Sequence, residues 1–350
     1  MRAYFDFARR FPVRYRFLLE VSREGFTGQA SCTVEEAVSG HLWQTTRHRD
    51  GTWQRHFLPL QKVVKGGPPN ATITREPSGA WTADPGPLRC PRCHGALHRT
   101  DAGFDCDAEG CGTSLPVRDG VLVVRDTTTG DNKIAADFYN SKLWPKFRFW
   151  ERFFWVCNGG ERRSRDVILR RLPKSPGLCL LDVAIGDGAY TSWLPEDWSI
   201  VGLDVSTVQI ASCQRHNPGH DLRLILGEAE ELPFRDREFD AVLSIGGFNH
   251  FKDPEVALRE MARVAKPGAP VVVSDELPDL TDRMIGHRLG FPGFDRWVVS
   301  KLMHLGDDFT DLVERHRHID IAEIGRRVLN DSRYEVIWHG GGYLMLGNAP

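Results

Sequence analysis

Residues 178–190 read LCLLDVAIGDGAY, an apolar run that ends in an aspartate and a bend of small residues. An apolar run of this length between turn residues predicts a parallel strand that is covered on both faces. Gly186 and Gly188 then lie in the turn between this strand and a following helix, where open α/β sheets bind their ligands. Glycine at such a turn permits a tight bend and a close approach of the backbone to a ligand. The stretch therefore predicts an α/β fold with a ligand site at the end of a strand.

Strand and helix patterns alternate from this stretch to the end of the sequence. Four more strands are predicted from WSIVGLDV, DLRLILGEA, FDAVLSIGG and PVVVSDE. A helix between the last two has a signal at each end, with Asp253 as N-cap, Pro254 in its first turn and Gly268 as its stop. The tail RYEVIWHGGGYLMLGNAP predicts two strands around a glycine turn. The whole pattern predicts a doubly wound α/β domain with a terminal hairpin that closes the sheet.

Acidic residues end the next two strands. Asp204 follows Gly186 by eighteen residues, and its carboxylate would be placed to accept hydrogen bonds from both hydroxyls of a ribose. Glu228 ends the third strand, where a carboxylate can accept from the exocyclic amine of adenine while the backbone N–H of Ala229 meets a ring nitrogen. The sequence therefore predicts a cofactor that contains a nucleoside.

These elements in this order, followed by FDAVLSIGGFNHFKDPEVALREMARVAKPGAPVVVSDE at 239–276, resemble class I S-adenosylmethionine-dependent methyltransferases, especially the quinone-biosynthesis C-methyltransferases. The resemblance covers about residues 175–275 and implies a seven-stranded Rossmann-like sheet. It also implies that residues 182–188 wrap the methionine part of the cofactor and that residues 244–246 lie beside it. The residues expected to bind S-adenosylmethionine are Tyr139, Asp182, Ala184, Gly186, Gly188, Asp204, Val205, Glu228, Ala229 and Ser244.

Two positions depart from the family pattern, because Ala184 stands where the first glycine is usual and Glu228 stands where aspartate is more frequent. The alternative interpretation of this loop is a nicotinamide or flavin enzyme, whose characteristic motif is G-x-G-x-x-G. Gly186 and Gly188 supply two of these glycines, but Thr191 stands in place of the third. The acidic end of the strand and the terminal hairpin favour the methyltransferase.

Four of the eight cysteines lie within 22 residues, in the motifs C-x2-C and C-x4-C. Four thiolates suffice for a closed tetrahedral zinc site. The surroundings, CPRCHGAL and CGTSLPVRDGVLVV, resemble the zinc ribbon that accompanies some RNA, tRNA and protein methyltransferases. A zinc ion held by four protein ligands has no open position for water, so it would be structural. The expected ligands are Cys90, Cys93, Cys106 and Cys111.

Two alternatives to this metal site stay open. His94 or His98 would replace a cysteine of the wider C-x4-C pair as a ligand. The other alternative is a group of reduced thiols without metal, or a redox pair.

Loop-forming segments divide the chain near residues 85 and 130, because GGPPN and PSGAWTADPGP precede the cysteines and RDTTTGDNK follows them. The strand-like pieces YRFLLEV and ATIT lie in the first part, which has no motif. About 55 residues separate PVVVSDE from the final hairpin, and insertions of this kind carry substrate specificity. We expect an unassigned region 1–85, a zinc-ribbon-like domain 86–130, and a methyltransferase domain 131–350 with a helical cap at 276–330.

Residues 138–155, FYNSKLWPKFRFWERFFW, hold nine aromatic residues, and Leu143, Phe147, Trp150 and Phe154 have helical spacing. We expect this segment to pack against the sheet or to form an aromatic lid over the methyl-donor pocket, with Tyr139 near the cofactor. His250 follows the fourth strand and would face the crevice, so it is a candidate general base or substrate contact. Methyl transfer needs a base only when the acceptor must lose a proton, and Asp275 is another candidate. The histidines of the expected cap are His287, His304, His316 and His318.

The composition is that of a globular protein, with 41% hydrophobic and 26% charged residues and a net charge of −2. No apolar run is long enough to span a membrane and the N-terminal segment lacks the apolar core of a secretory signal, so we expect a cytoplasmic protein. The favoured function is an S-adenosylmethionine-dependent methyltransferase acting on a small apolar or aromatic metabolite. An rRNA or tRNA methyltransferase with a ribbon that contacts RNA is a second hypothesis, which the acidic C-terminal half disfavours. A catalytically inactive binding module with the same fold is the third.

Overall fold

The structure is a computed structural model with two compact units, residues 1–74 and 75–350. In the first unit the described strands form an antiparallel sheet in the order β1-β2-β3, namely β1 (Cys32–Val38), β2 (His41–Arg47) and β3 (Trp53–Leu58). The strand-like pieces at 15–21 and 71–74 lie outside the described residues. Described in the second unit are Trp81 and residues 86–157, 159–217, 220–277, 290–293, 297, 311–312 and 319–350.

The cysteine motifs lie on a set of short antiparallel strands at the beginning of the second unit. Neighbouring strands pair in sequence order, and the second cysteine pair lies at the end of one strand and in the loop that follows it. The four strands are β4 (Leu97–Arg99), β5 (Gly103–Cys106), β6 (Ser114–Arg118) and β7 (Val121–Val123).

Five parallel strands form the centre of this unit, and an antiparallel hairpin extends them at one side. Their apolar side chains are buried on both faces of the sheet, with Leu181 and Val183 on one face and Leu180 on the other. The parallel strands are β8 (Cys179–Val183), β9 (Ser199–Asp204), β10 (Asp221–Leu226), β11 (Ala241–Ile245) and β12 (Pro270–Glu276), and the hairpin is β13 (Asn330–Ile337) and β14 (Gly342–Asn348). The predicted doubly wound sheet and its terminal hairpin are confirmed.

The cysteine-bearing strands and the central strands form one sheet, because β7 pairs in parallel with β10. In the described part of the unit the eleven strands have the order β13-β14-β12-β11-β8-β9-β10-β7-β6-β5-β4. The residue pairs are Leu224 with Val121, Ile225 with Leu122, and Leu226 with Val123. The edge of β10, which would otherwise present unpaired backbone groups, is therefore covered by the chain's own preceding segment.

Helices cover the sheet, and one of them shows the predicted start signal clearly. The side chain of Asp253 accepts a hydrogen bond from the Val256 N–H at 3.0 Å, and Pro254 occupies the first turn as expected. The described helices are α1 (Gly130–Asn140), α2 (Trp144–Cys157), α3 (Glu161–Leu169), α4 (Thr207–His216), α5 (Pro254–Val264) and α6 (Ile321–Val328). None of the helices in these ranges is long and apolar enough to cross a membrane.

One local expectation was wrong. The turn at Gly186 leads into a short 3₁₀ turn, Thr191–Trp193, and not into an α-helix, because Pro195 closes the segment soon after. The aromatic segment comprises the end of α1 and most of α2; α1 ends at Asn140, and the Ser141 hydroxyl donates to the Phe138 carbonyl at 2.7 Å. The cap expected at 276–330 lies largely outside the described residues, as do its four histidines.

Candidate functional site

The turn after β8 and the end of β9 meet at the carboxyl edge of the sheet. One carboxylate oxygen of Asp204 accepts from the Gly186 N–H at 2.9 Å, and the other accepts from the Ser206 N–H at 2.8 Å. Burial raises the pKa of Asp204 to about 6, although these backbone donors oppose the shift. The structure thus brings into contact the glycine turn and the aspartate that the sequence places eighteen residues apart.

Asp182 lies deeper in the sheet and is fully buried. Its Oδ1 accepts from the Tyr190 hydroxyl at 2.9 Å, while its Oδ2 has no hydrogen-bond partner among the described residues. Desolvation raises the pKa of this carboxyl to about 8, and the Tyr190 hydrogen bond and the Arg165 charge oppose the shift. Burial of Asp182 therefore favours the protonated form of its carboxyl.

Ala184 adopts the left-handed backbone conformation, with φ of +62°, at the position where the family has a glycine. Its β-carbon lies against Gly247 in the turn after β11, where an added β-carbon would stand only 2.3 Å away. Gly247 has an ordinary negative φ, so space and not backbone conformation requires glycine there. Sequence reasoning identified the substitution at Ala184 and missed the residue that makes room for it.

The glycines of the site differ in what surrounds them. On the side where a β-carbon would lie, Gly186 and Gly246 have no atom of the described residues within 4 Å, whereas Gly188 would contact Cys213 and Asn217 at 2.5 and 2.6 Å. Gly188 is therefore needed for packing against α4, and Gly186 and Gly246 border open space. The residues around this space fit an adenosyl ligand, because backbone and carboxylate groups lie beside a gap that side chains leave unfilled.

Ser244 and Ala229 are less exposed than Gly186 and Gly246. Ser244 is fully buried in β11, and its hydroxyl has no hydrogen-bond partner among the described residues. Ala229 is also buried, directly after Glu228. Val205 follows Asp204 at the start of the turn into α4, and its exposure is intermediate.

Glu228 is directed toward the segment that precedes α1. Its Oε1 accepts from the Thr129 N–H at 3.3 Å, and its Oε2 lies 3.7 Å from Nε of Arg125. Only 8% of the Glu228 side chain is exposed. Neither Arg125 nor Thr129 was identified from the sequence, because about a hundred residues separate them from Glu228 and nothing in the local pattern links the two segments.

Helix α1 lies across the carboxyl edge of the sheet. At its end, Asn140 Oδ1 accepts from the Ser206 hydroxyl at 2.8 Å and from the Val208 N–H at 3.2 Å. Near its start, Asn132 donates to Glu230 at 2.9 Å and accepts from the Lys252 N–H at 3.0 Å. Helix α1 is thus hydrogen-bonded to the loops that follow β9, β10 and β11.

This placement brings Tyr139 to His250. Their rings are nearly perpendicular with centroids 6.3 Å apart, and the ring centroid of Trp144 lies 4.9 Å from that of Tyr139. His250 lies in a short 3₁₀ turn after β11 and is 8% exposed. The two predicted site residues therefore share one aromatic wall at the edge of the sheet.

Asp275, the other candidate base, is fully buried and bonded to the turn that carries His250. Its Oδ2 accepts from the Asn249 N–H at 2.9 Å, and the Tyr343 hydroxyl donates to the side chain of Asn249 at 3.0 Å. Desolvation raises the pKa of Asp275 to about 6. These contacts favour a role for Asp275 in stabilising the turn over a role in contacting a substrate.

The four cysteine sulfur atoms of the second unit's first strands converge on one point. All four lie within 4.8 Å of one another, with 3.6 Å between those of Cys90 and Cys111 and 3.4 Å between those of Cys93 and Cys106. Zinc–sulfur bonds of about 2.3 Å require sulfur separations of about 3.8 Å in a tetrahedron. The ring of His98 is instead hydrogen-bonded to Asp107. The donor set therefore fits one tetrahedral ion with four sulfur ligands.

Residues 181–273, which run from β8 into β12, match a family model described as a methyltransferase domain. The chain carries a class I S-adenosylmethionine-dependent methyltransferase domain. The order β10-β9-β8-β11-β12 with the β14-β13 hairpin places the acidic ends of three strands of this methyltransferase domain along one edge.

The relatives that match this domain are methyltransferases with different names. A demethylmenaquinone methyltransferase of Renibacterium salmoninarum is 36% identical over 118 residues, which cover 33% of this chain and 49% of that protein. A fatty-acid O-methyltransferase of Mycolicibacterium smegmatis is 33% identical over 105 residues, 29% of this chain and 38% of that protein. An O-methyltransferase of Penicillium expansum is 32% identical over 126 residues, 34% and 45% of the two chains. The chain spans about half or less of the length of these relatives.

Proposed function

We propose that the chain is an active S-adenosylmethionine-dependent methyltransferase whose acceptor is a small apolar or aromatic metabolite. The observation that carries this proposal is the contact between Asp204 and the Gly186 N–H, because it fixes a ribose-binding carboxylate beside the unfilled space at the glycine turn. Each carboxylate oxygen offers two acceptor positions, so Asp204 can still accept from ribose hydroxyls.

The residues around this space have separate roles in the proposed reaction. When bound, S-adenosylmethionine supplies a methyl group from a positively charged sulfur. Asp204 holds the ribose, Glu228 and the Ala229 N–H bind the adenine, and residues 182–188 lie along the methionine part. The aromatic wall of Tyr139 and His250 lines the side from which an acceptor approaches and excludes water. Because methyl transfer is an in-line displacement, alignment supplies much of the rate, and His250 removes a proton only from an acceptor that carries one.

Two observations support a small acceptor. The rings of Phe138, Tyr139, Trp144 and Phe147 contact one another next to His250, which suits an apolar or aromatic molecule. The relatives named above include enzymes for a quinone precursor and a fatty acid. An RNA acceptor is not favoured by the cysteine-bearing segment, since residues 86–130 contain five arginines against six acidic residues.

We also propose a structural zinc ion at the four cysteines. The sulfur separations suit a tetrahedral ion, and four protein ligands leave no position for water or substrate. Zinc there would stabilise the strands β4 to β7 and take no part in methyl transfer.

Calorimetry with S-adenosylmethionine and S-adenosylhomocysteine tests the proposed cofactor. We expect micromolar or tighter binding to the wild type and a loss of about 100-fold in Asp204→Ala, since hydrogen bonds to a charged group contribute about 1.5–3 kcal/mol each. Asp197→Ala is the matched control, because Asp197 binds the Gly177 N–H away from the glycine turn. Absence of binding to the wild type would refute the proposal.

The acceptor class is tested with labelled S-adenosylmethionine and a cell extract that is then separated into RNA, protein and small-molecule fractions. We expect the label in the small-molecule fraction. Label in RNA would support an rRNA or tRNA methyltransferase. Cofactor binding without transfer to any fraction would support a catalytically inactive binding module with the same fold.

A further inference from the structure

The joint, residues 124–129, connects the cysteine-bearing strands to α1 and passes beside the end of β10. Its first two N–H groups, those of Val124 and Arg125, both donate to the Leu226 carbonyl, at 2.9 and 3.3 Å. Because β7 pairs with β10 up to Leu226, the joint begins level with the turn that follows β10. Arg125 is thereby held next to Glu228.

The guanidinium group of Arg125 contacts two carboxylates of that turn. Its Nη2 donates to Glu231, and its Nε lies 3.7 Å from Glu228 Oε2. The hydrogen bond to Glu231 raises the pKa of Arg125, so the positive charge persists at all ordinary pH values. Glu228 is 8% exposed and Arg125 is 40% exposed. A buried carboxylate needs a charged or hydrogen-bonding partner of this kind.

The second oxygen of Glu228 is held by the backbone at the start of α1. Thr129 occupies the N-cap position of α1 and donates its N–H to Glu228 Oε1 at 3.3 Å. N–H groups at the start of a helix lack partners within the helix and favour negative charge. One turn further along the chain, Asn132 of α1 donates to Glu230 at 2.9 Å, a second hydrogen bond between the start of α1 and the turn after β10. The two oxygens of Glu228 are thus oriented by two residues of one segment.

We propose that Arg125 and Thr129 are positioning residues that hold the Glu228 carboxylate toward the 6-amino group of adenine, so that the joint determines selectivity for the adenine base. This inference rests on the proposed function. A carboxylate whose plane is fixed by two donors keeps lone pairs for the amine and loses little conformational freedom when the base binds. A 6-oxo purine would place an acceptor against the same oxygens and be rejected.

The test compares the dissociation constants of S-adenosylhomocysteine and S-inosylhomocysteine, which differ at position 6 of the base. We expect the wild type to prefer the adenosyl ligand by at least about tenfold. Arg125→Ala should weaken the adenosyl ligand by about tenfold and the inosyl ligand by less than about twofold. Arg125→Lys should recover part of the loss, since it restores the charge but not the shape of the guanidinium.

A double-mutant cycle separates positioning from general stability. In the Glu228→Gln background, Arg125→Ala should change adenosyl affinity by less than about twofold, because the carboxylate that it orients is gone. Arg118→Ala is the matched control, since it removes an exposed arginine that pairs with Asp126 of the same joint and should leave both affinities unchanged.

Several results would overturn the inference. Unchanged affinity in Arg125→Ala, equal weakening of both ligands, or full additivity with Glu228→Gln would each show that Arg125 does not act through the base. Equal losses of adenosyl affinity in Arg118→Ala and Arg125→Ala would show that the net charge of the joint determines affinity, and not the contact between Arg125 and Glu228. If the wild type binds S-adenosylhomocysteine while these outcomes occur, the proposed function stands and only the role of the joint fails. If it binds neither ligand, both fail.

Discussion

The cysteine cluster and the carboxyl edge of the sheet use their polar side chains in opposite ways. In the cluster each thiol faces the other three, within 4.8 Å, so an ion bound there would have its coordination filled by protein. At the edge, Asp204 and Glu228 bind backbone N–H groups and an arginine but retain acceptor positions, and Asp204 lies beside the space that the described residues leave open at Gly186. A site that its own side chains complete serves stability, and a site that they leave incomplete is available to a ligand.

The two regions are also connected. Strand β7, which follows the cysteines, pairs with β10, which ends at Leu226, two residues before Glu228. A change at either region can therefore reach the other through this strand pairing, since equilibrium coupling is reciprocal. The predictions below compare the two regions, in decreasing order of expected effect.

The largest effect is expected from loss of the cluster. Cys90→Ser or removal of the metal by a chelator should destabilise the protein by at least about 3 kcal/mol, because structural zinc contributes on the order of 10 kcal/mol to small metal-dependent domains. Metal analysis and thermal unfolding measure the effect. Cys179→Ser, a cysteine of β8 outside the cluster, should keep one zinc per chain. Less than half an equivalent of zinc in wild-type protein would contradict the metal site.

The next effect concerns the turn pair Ala184 and Gly247. Gly247→Ala should cost about 2–3 kcal/mol, because its methyl group would overlap the β-carbon of Ala184. Ala184→Gly alone should change stability by less than about 1 kcal/mol, since relief of the left-handed strain is offset by the greater freedom of the unfolded chain. In the double variant most of the loss should disappear. Urea unfolding of the four proteins measures the coupling, and simple additivity would argue against the contact.

A smaller effect is expected from the titration of Asp182. Its pKa is raised to about 8 in the fold and is about 4 in an unfolded chain, so the folded state binds the proton more tightly. The stabilisation is complete below about pH 4 and is lost as the pH rises through 8. Asp182→Asn should remove most of this decline in the unfolding free energy between pH 5 and 9. Equal pH profiles for variant and wild type would show that the carboxyl is already ionised in the fold.

The smallest effect is expected at His250. If the acceptor loses a proton, His250→Ala should lower kcat by about tenfold with little change in cofactor affinity, because the ring lies on the acceptor side of the site. Asn249 holds the same turn, so Asn249→Ala should instead affect stability through Asp275 and Tyr343. Unchanged turnover in His250→Ala would remove its role as a base.

Patterns that depend on neighbouring residues were predicted well. The strands and α5 follow from apolar runs and from signals such as Asp253, which act within one or two turns of the chain. The cysteine cluster also follows from short spacing, since C-x2-C and C-x4-C limit how far the sulfur atoms can separate. The helix expected after Gly186 was wrong because Pro195 left no room for it, a signal that was present in the sequence and not used.

By itself, the sequence determined the α/β fold, the order of acidic residues along it and the four-cysteine motif, because each is encoded by residues close together in the chain. Only the tertiary structure decided which distant segments meet: β7 with β10, Arg125 and Thr129 with Glu228, and Ala184 with Gly247. These contacts join residues from about 60 to 100 positions apart. They depend on strand register and on the space left between packed turns, which local preferences do not specify.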